Sequence, residues 1–451
     1  MDKNYVIIGG DAAGMSAASK IRRSKPESNI IVFEKGEYIS FAACGIPYWL
    51  GGVIDSDSKL RILTPETARS KRNIDVRNFH EALSIDTDNR TIVVKNIKTG
   101  DIIKQRYDQL IIATGARAII PPIPGVETTG IFPLRSLSHG QRINTYINEN
   151  HVRHAVIVGA GYIGLEMAEA FVSRGIQVEI IEMAHQIMPN YDGDMVEKVT
   201  SHLKEKGVIL HLENRVTGFE KNASTISVSL SQAPHILQAE LVIMATGVAP
   251  NSEIAESAGI KCGPSKGIKI NAKMQTSVDR VWAAGDCVEY HHLVLGEAVY
   301  IPLAPSANKG GRIAGDNATG QSFEFPGILG TSVVKVFDYT MASTGLTEKL
   351  ALSSGKFPKA RSVVITESNK AKYYPGATPV TVKLVIDGKN NRIIGAQMFG
   401  KADVAKRIDI IAVAITAKMT AHDVAMLDLS YAPPFAPVYD PIHIAAGVAD
   451  K

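Results

Sequence analysis

Two apolar strands that each close on a glycine-rich turn and open a helix, Tyr5–Gly14 and Ala155–Gly164, predict an α/β fold with parallel sheets. Matching strand ends, Ala113-Thr114-Gly115 and Ala245-Thr246-Gly247, predict that the chain crosses from one unit to another and back. From about Gln321 the texture changes to Val/Ile/Thr-rich strands with no such turn, which predicts a separate domain. The predicted fold class is therefore α/β: two Rossmann-like dinucleotide-binding domains, one inserted in the other, plus a C-terminal α+β domain.

At 451 residues the chain accommodates roughly two to four domains of ~100–200 residues. A composition of 45% hydrophobic and 21% charged residues excludes a disordered or fibrous chain. The net charge of +4 is small for this length and implies no nucleic-acid partner. Cys44, Cys262 and Cys287 lie far apart and form no C-x-x-C, so neither a zinc site nor a disulfide framework is expected. That usage fits a reducing cytoplasm. No signal-peptide pattern opens the sequence and no apolar run approaches the ~20 residues of a membrane span, so no membrane partner is expected.

In the first unit, Tyr5–Ile8 leads into Gly9-Gly10-Asp11-Ala12-Ala13-Gly14, then a helix through Met15–Arg23 and a strand Ile30–Phe33 ending in Glu34. Small residues let the backbone approach a pyrophosphate at a helix N-terminus, and an acid about 20 residues on accepts from a ribose diol. Asp11 stands where the usual spacing has a glycine. The second unit has the full G-x-G-x-x-G: Gly159-Ala160-Gly161-Tyr162-Ile163-Gly164, a helix through Leu165–Ala170, and Val178–Ile181 ending in Glu182. Two such units imply two bound dinucleotides. Glu182 suits a free 2′-hydroxyl and repels a 2′-phosphate, so NADH is favoured over NADPH, a preference that His185 would soften.

Between the units, Pro121–Gly125 marks a linker. After the second Ala-Thr-Gly, Val281–Ala284 ends in Gly285-Asp286, placing a carboxylate for a cofactor hydroxyl, and a helix begins near Pro305. The C-terminal strands are Ser332–Phe337, Ser362–Thr366, Val380–Ile386 and Ile393–Phe399, followed by a helix from Asp403 to about Lys418. Tyr431–Pro437 is proline-rich and exposed in character, a segment suited to reach into a partner. Ser40–Tyr48 holds Cys44 among small and apolar neighbours, after a strand and before a helix whose N-terminus would lower the thiol pKa. Cys262 and Cys287 lack that context and read as structural.

With these residues in hand, the chain resembles the pyridine nucleotide–disulfide oxidoreductases over essentially its whole length. The motifs are Gly9–Gly14, Ser40–Tyr48, Gly159–Gly164, Gly285-Asp286, Tyr373-Tyr374-Pro375-Gly376 and Tyr431–Phe435. More narrowly it is similar to the single-cysteine branch containing coenzyme A disulfide reductases, persulfide reductases and NADH oxidases. The resemblance implies an FAD domain (1–118 and 248–320), an inserted NAD(P)H domain (119–247) and a dimerisation domain (321–451). For FAD it implies Gly9, Gly10, Ala12, Ala13, Gly14, Glu34, Lys35, Ser40, Thr114, Gly115, Gly285, Asp286, Ala304 and Tyr431. For NADH it implies Gly159, Gly161, Ile163, Gly164, Glu166, Glu182 and Gly247. For coenzyme A it implies Ser16, Lys20, Arg23, Ser40, Lys71, Arg72, Asn308 and Tyr439. No metal is expected.

Departures from neighbouring branches narrow the chemistry. Glutathione-reductase-like enzymes carry a second cysteine four residues on and a His-Pro near the end, where this chain has Trp49 and Tyr439–His443. Oxidases and peroxidases of the branch carry a histidine in the first glycine turn, where this chain has Ala12. The resemblance then implies a catalytic Cys44 cycling between thiolate and a Cys–S–S–CoA mixed disulfide. It also implies proton donation by Tyr431 and one of Tyr373-Tyr374, with Tyr373 favoured, across a homodimer whose subunits share the site. The expected activity is NADH-dependent reduction of CoA disulfide, persulfide or polysulfide; the alternative is an NADH oxidase. No rhodanese-like stretch follows Lys451, so a persulfide is expected to be supplied from outside the chain.

Overall fold

The computed structural model describes residues 3–451; Met1 and Asp2, which open the segment 1–118, lie outside the described residues. Two five-stranded parallel sheets follow from the two glycine-turn units. In the first, Asn4–Ile8 is central between Asn29–Phe33 and Gln109–Ile112, with Asp75–Arg77 and Val281–Ala283 at the edges. In the second, His154–Val158 is central between Gln177–Ile181 and Leu241–Met244, with Ile209–His211 and Ile131–Pro133 outside. Both strand sets read as continuous apolar runs because both faces are covered; Val6, Ile7, Val156 and Ile157 are all fully buried. One difference separates the sheets. The edge strand at Val281–Ala283 comes last in its unit, whereas Ile131–Pro133 comes first in the other.

The chain passes between the sheets through Ala116–Ala118, which pairs antiparallel with Val248–Pro250. The Ala-Thr-Gly repeats stitch this crossing reciprocally. Thr114 Oγ1 donates to the Asn251 carbonyl, and Thr246 Oγ1 donates to the Ile119 carbonyl at 2.6 Å. Each unit also carries a three-stranded antiparallel sheet, His80–Arg106 in one and Val216–Ala239 in the other.

The C-terminal unit is a five-stranded antiparallel sheet in the order Ser332–Val336, Tyr339–Gly345, Ile393–Gly400, Pro379–Asp387, Ala360–Ser368. Helices Val404–Thr416 and Pro441–Ala449 pack on it through Ile408, Ile411, Ile442 and Ala446 against Val382, Leu384 and Ala396. Tyr373 and Tyr374 lie in a turn rather than a strand. Pro375 and Gly376, at φ +76°, turn the chain, and Tyr374 N donates to the Ala371 carbonyl within that turn. Among the described residues no helix is long and apolar enough to cross a membrane.

Helices Ala12–Ser24 and Ala304–Ala318 cross at backbone contact distance. A Cβ on Gly311 would lie 2.2 Å from the Ala13 carbonyl oxygen, and one on Gly315 2.6 Å from that of Ala17. Gly311→Ala therefore forces the crossing apart at the first turn of the helix that follows the glycine turn. A loss of ~1–3 kcal/mol in denaturant unfolding is expected; an unchanged midpoint would show that the crossing tolerates a methyl group.

Candidate active site

The two glycine turns are built alike. Gly9 has φ +106°, and a Cβ there would lie 2.0 Å from the Ala113 carbonyl oxygen; Gly159 has φ +111° with Ala245 O at 2.3 Å. Each acid is locked by the turn it follows. Glu34 accepts from Gly10 N at 2.8 Å and Gly36 N at 2.7 Å, and Glu182 accepts from Ala160 N at 2.8 Å and Ala184 N at 2.9 Å. Both carboxylates are thereby held at the carboxyl end of a second parallel strand, where open α/β sheets bind ligands. A Cβ on Gly161 would meet no atom within 4 Å, so the space over the second turn is open to a pyrophosphate. These features fit FAD at the first unit and NAD(P)H at the second.

Gly9, Gly10, Glu34, Thr114, Gly115, Gly285 and Asp286 all follow the carboxyl ends of first-sheet strands. Ala13 joins them, since a Cβ on Gly285 would lie 3.0 Å from its methyl. Ala12 and Gly14 begin the adjoining helix, and Ala304 begins the helix that crosses it. Lys35 is exposed beside Glu34. Ser40 takes φ 45° and donates its N–H to the Gly10 carbonyl at 3.0 Å, a strained conformation for serine that fixes the approach to Cys44. In the second unit Gly159, Gly161, Ile163, Gly164 and Glu166 lie on the turn and helix Tyr162–Ser173, with Glu182 and Gly247 at neighbouring strand ends.

Cys44 lies in a single 3₁₀ turn, Ala43–Gly45, that runs into the five-residue helix Ile46–Leu50. Its side chain is exposed, while Cys287 is buried and Cys262 half-buried; all three thiols are free. The expected lowering of the Cys44 pKa does not occur. Solvent reaches the residue, yet the protein atoms packed around its sulfur make desolvation the largest upward push; the carboxylates of Glu166, Asp286 and Asp11 add to the rise, and Arg135 opposes them. Asp286 is itself paired with Arg135 at 2.7 Å, and burial holds its pKa above the ordinary value. Burial pushes Asp11 up to about 6, with Glu34 raising it further and Arg135 opposing. Cys44 thus sits where both nucleotide-binding units meet, since Asp11 and Asp286 follow strands of the first sheet, Arg135 follows an edge strand of the second, and Glu166 lies on the helix after the second glycine turn.

The structure brings most of the cation and amide candidates onto one face. Ser16 Oγ donates to Asn308 Oδ1 at 2.8 Å, and Arg72 donates to Ser19 Oγ at 3.0 Å. Lys20 is paired with Asp316 at 3.0 Å, so its charge is already partly neutralised. Arg23 and Lys71 are exposed on the same two helices. Tyr439, 71% exposed, lies on the C-terminal unit. There Tyr373 and Tyr431 come together, and the neighbouring Tyr431 hydroxyl raises the Tyr373 pKa. Both rings are exposed, as are Phe435 and Val438.

Two residues carried no sequence signal of this kind. Arg135 follows an unremarked edge strand, and only its contact with Asp286 places it beside the cysteine. Tyr48 lay inside the cysteine motif without a role; its hydroxyl donates to Glu166 Oε1 at 3.3 Å. No group of His, Cys, Asp and Glu that could hold a metal ion occurs among the described residues.

Residues 3–311 match the pyridine nucleotide-disulphide oxidoreductase family, and residues 331–441 match the dimerisation domain of that family. The chain is 41% identical over 447 residues to the CoA-dependent NAD(P)H sulfur oxidoreductase of Pyrococcus furiosus, covering 99% of both. It is 31% identical over 440 residues to a coenzyme A disulfide reductase of Staphylococcus aureus, covering 97% of this chain and 98% of that one. The structure of reduced Bacillus anthracis CoADR-RHD superposes with a TM-score of 0.96 at 41% identity, covering 100% of this chain and 80% of that one. The chain therefore belongs to the pyridine nucleotide-disulphide oxidoreductases.

Proposed function

We propose that this oxidoreductase is an FAD-dependent, NADH-preferring reductase of coenzyme A disulfide or of a CoA persulfide or polysulfide. The observation that carries the reading is Cys44: an exposed free thiol beside both nucleotide-binding units, in a chain whose other two cysteines are buried or half-buried. Its partner sulfur must come from a small thiol, which the names of the relatives point to as coenzyme A. FAD, when bound, carries electrons from NADH to a disulfide at Cys44.

The chain's own residues divide the remaining work. Gly9–Gly14, Glu34, Thr114–Gly115, Gly285, Asp286 and the N-terminus at Ala304 hold FAD; Gly159–Gly164, Glu166, Glu182 and Gly247 hold NADH. Ser16, Arg23, Ser40, Lys71, Arg72 and Asn308 receive the CoA nucleotide and pantetheine, with Lys20 a weaker contributor because of Asp316. Tyr373 and Tyr431 protonate the departing thiolate from a second subunit, whose Tyr439 completes the CoA site. Exposed Tyr373, Tyr431, Phe435, Val438 and Tyr439 supply the surface for that homodimer. The segments 1–118 with 248–320, 119–247 and 321–451 are the domains in which these roles fall. The free thiols suit a cytoplasmic setting.

The test is anaerobic NADH consumption with CoA disulfide, CoA persulfide and polysulfide, followed by mass spectrometry of Cys44. A CoA adduct on Cys44 and acceptor-dependent turnover are expected; no turnover with any of the three acceptors, beside fast NADH consumption in air, would establish the oxidase instead. The same assay reads cofactor choice. Glu182→Ser removes the carboxylate that excludes a 2′-phosphate, so the NADH-over-NADPH ratio should fall ~10-fold or more. A ratio that stays put would assign the preference to another residue.

A further inference from the structure

One polar pair is buried in the C-terminal sheet, on the face turned away from helices Val404–Thr416 and Pro441–Ala449. Lys383 and Gln397 stand opposite each other on strands Pro379–Asp387 and Ile393–Gly400, while Val382, Leu384 and Ala396 pack under the helices. Both hold Asp192, which is buried at the start of helix Gly193–Glu205 in the second glycine-turn unit. Gln397 Nε2 donates to Asp192 Oδ2 at 2.6 Å, and its Oε1 accepts from Asp192 N at 2.9 Å. Lys383 Nζ lies 3.2 Å from the same Oδ2, with Asp194 at 2.9 Å and Glu348 at 3.3 Å. An aspartate in this position ordinarily caps its own helix. Asp192 makes no such bond; its carboxylate accepts instead from Glu348 N at 3.1 Å and Lys349 N at 3.3 Å in the C-terminal unit. Burial would lower the Lys383 pKa, but Asp194 and Asp192 outweigh it and the net shift is upward, so the pair keeps its cation.

Asp192 closes a loop, 183–192, that begins directly after Glu182. The loop is tied to the glycine turn. Met188, fully buried at φ 46°, donates its N–H to the Ala160 carbonyl at 2.9 Å, and Ala160 N donates in turn to Glu182. The loop is also braced from within: Gln186 Nε2 donates to the Tyr191 carbonyl at 2.9 Å, and Tyr191 N to the Met188 carbonyl at 2.9 Å. A second tether runs parallel to the first. Asn190 Nδ2 donates to the Tyr162 hydroxyl at 3.1 Å, and that hydroxyl pairs with Ser332 Oγ at 2.7 Å.

Taking the second glycine turn as the nicotinamide-nucleotide site, as proposed above, we infer that Lys383 and Gln397 are positioning residues for that nucleotide. Through Asp192 they hold the loop that sets Ala160 and Glu182, the pyrophosphate turn and the ribose acid. Contacts to those parts of the nucleotide are the same before and during hydride transfer, so losing them weakens binding without slowing the transfer. The C-terminal unit, which matches a dimerisation domain, thereby also sets the affinity of the second unit for its nucleotide.

The test is anaerobic bleaching of the flavin in the holoenzyme by NADH and by NADPH, followed against nucleotide concentration with no sulfur acceptor present. Failure of the CoA reading would leave it untouched. Asp192→Asn removes the charge that Lys383 pairs with and sets an amide against the Gln397 donor. It should raise the half-saturating nucleotide concentration about tenfold and leave the limiting rate at its wild-type value. Gln397→Met, which removes the partner without stranding a charge, should shift the same concentration in the same direction and serves if the first variant fails to fold. A reading apart from turnover comes from the wild-type protein. Because coupling is reciprocal, NAD⁺ should slow amide hydrogen exchange at Glu348 and Lys349, the donors to Asp192. A wild-type flavin that neither nucleotide bleaches would overturn the site assignment itself. Wild-type saturation in either variant, with flavin content and circular dichroism unchanged, overturns the inference alone, as does unchanged exchange at the two amides.

Discussion

Cys44→Ser is expected to lower acceptor-dependent NADH turnover by ~10³-fold or more, because the nucleophile that forms and resolves the mixed disulfide is removed. A serine hydroxyl at this position is a far weaker nucleophile than a thiol and cannot form a stable bond to the incoming sulfur. The substitution is nearly isosteric, and the Cys44 side chain is exposed in a turn whose backbone bonds run Gly45 N to the Ala42 carbonyl and Ala42 N to the Leu60 carbonyl. None of those bonds uses the sulfur, so folding and flavin content should be unchanged. Slow NADH consumption in air should also survive, since it requires no protein sulfur. The contrast between lost sulfur reduction and retained oxygen consumption separates the disulfide reductase from the oxidase. Full turnover with CoA disulfide in this variant would end the thiol mechanism.

The parts of this site that repeat locally were legible in the sequence. A strand, a glycine turn, a helix and an acid at the end of the next strand are fixed by residues close in the chain, and both copies have the locked carboxylate that pattern implies. What escaped depends on contacts between distant segments. Arg135 meets Asp286 only because the edge strand of one sheet ends near that of the other. Glu166 could be read as an NADH-side residue, yet its partner Tyr48 lies on the opposite unit. Lys20 was expected at coenzyme A, but the crossing helix presents Asp316 to it. The thiol pKa failed for the same reason. A helix N-terminus can be seen in a sequence, whereas the desolvation of the Cys44 sulfur and the acids that converge on it, Glu166, Asp286 and Asp11, cannot. Tyr373 and Tyr431 were paired by family position, and their contact within one chain follows from how Tyr373's turn is anchored.

That anchor is Arg407, and its removal should have the largest effect on stability. Arg407 is 6% exposed on helix Val404–Thr416 and binds both oxygens of Asp440, 7% exposed, through Nε and an NH2 group at 2.8–3.1 Å. The same NH2 donates to the Asn369 carbonyl at 2.8 Å. Asn369 is fully buried and closes the Tyr373 turn from below, its Oδ1 accepting from Thr378 N at 2.8 Å. Asp440 directly follows Tyr439 and caps helix Pro441–Ala449 by accepting from Ile442 N at 3.0 Å. One guanidinium therefore fixes both tyrosine-bearing segments to the sheet domain. Arg407→Met leaves the Asp440 carboxylate buried without its cation, which should destabilise the protein by about 3–5 kcal/mol. Adding Asp440→Leu removes the stranded charge and should recover part of that loss in denaturant unfolding. The double variant still lacks the donor to Asn369, so its sulfur-reducing turnover should stay low although its stability returns. A single substitution costing under ~1 kcal/mol would place Arg407 among ordinary surface pairs. Recovery of stability together with full turnover would show that the tyrosines keep their positions without it.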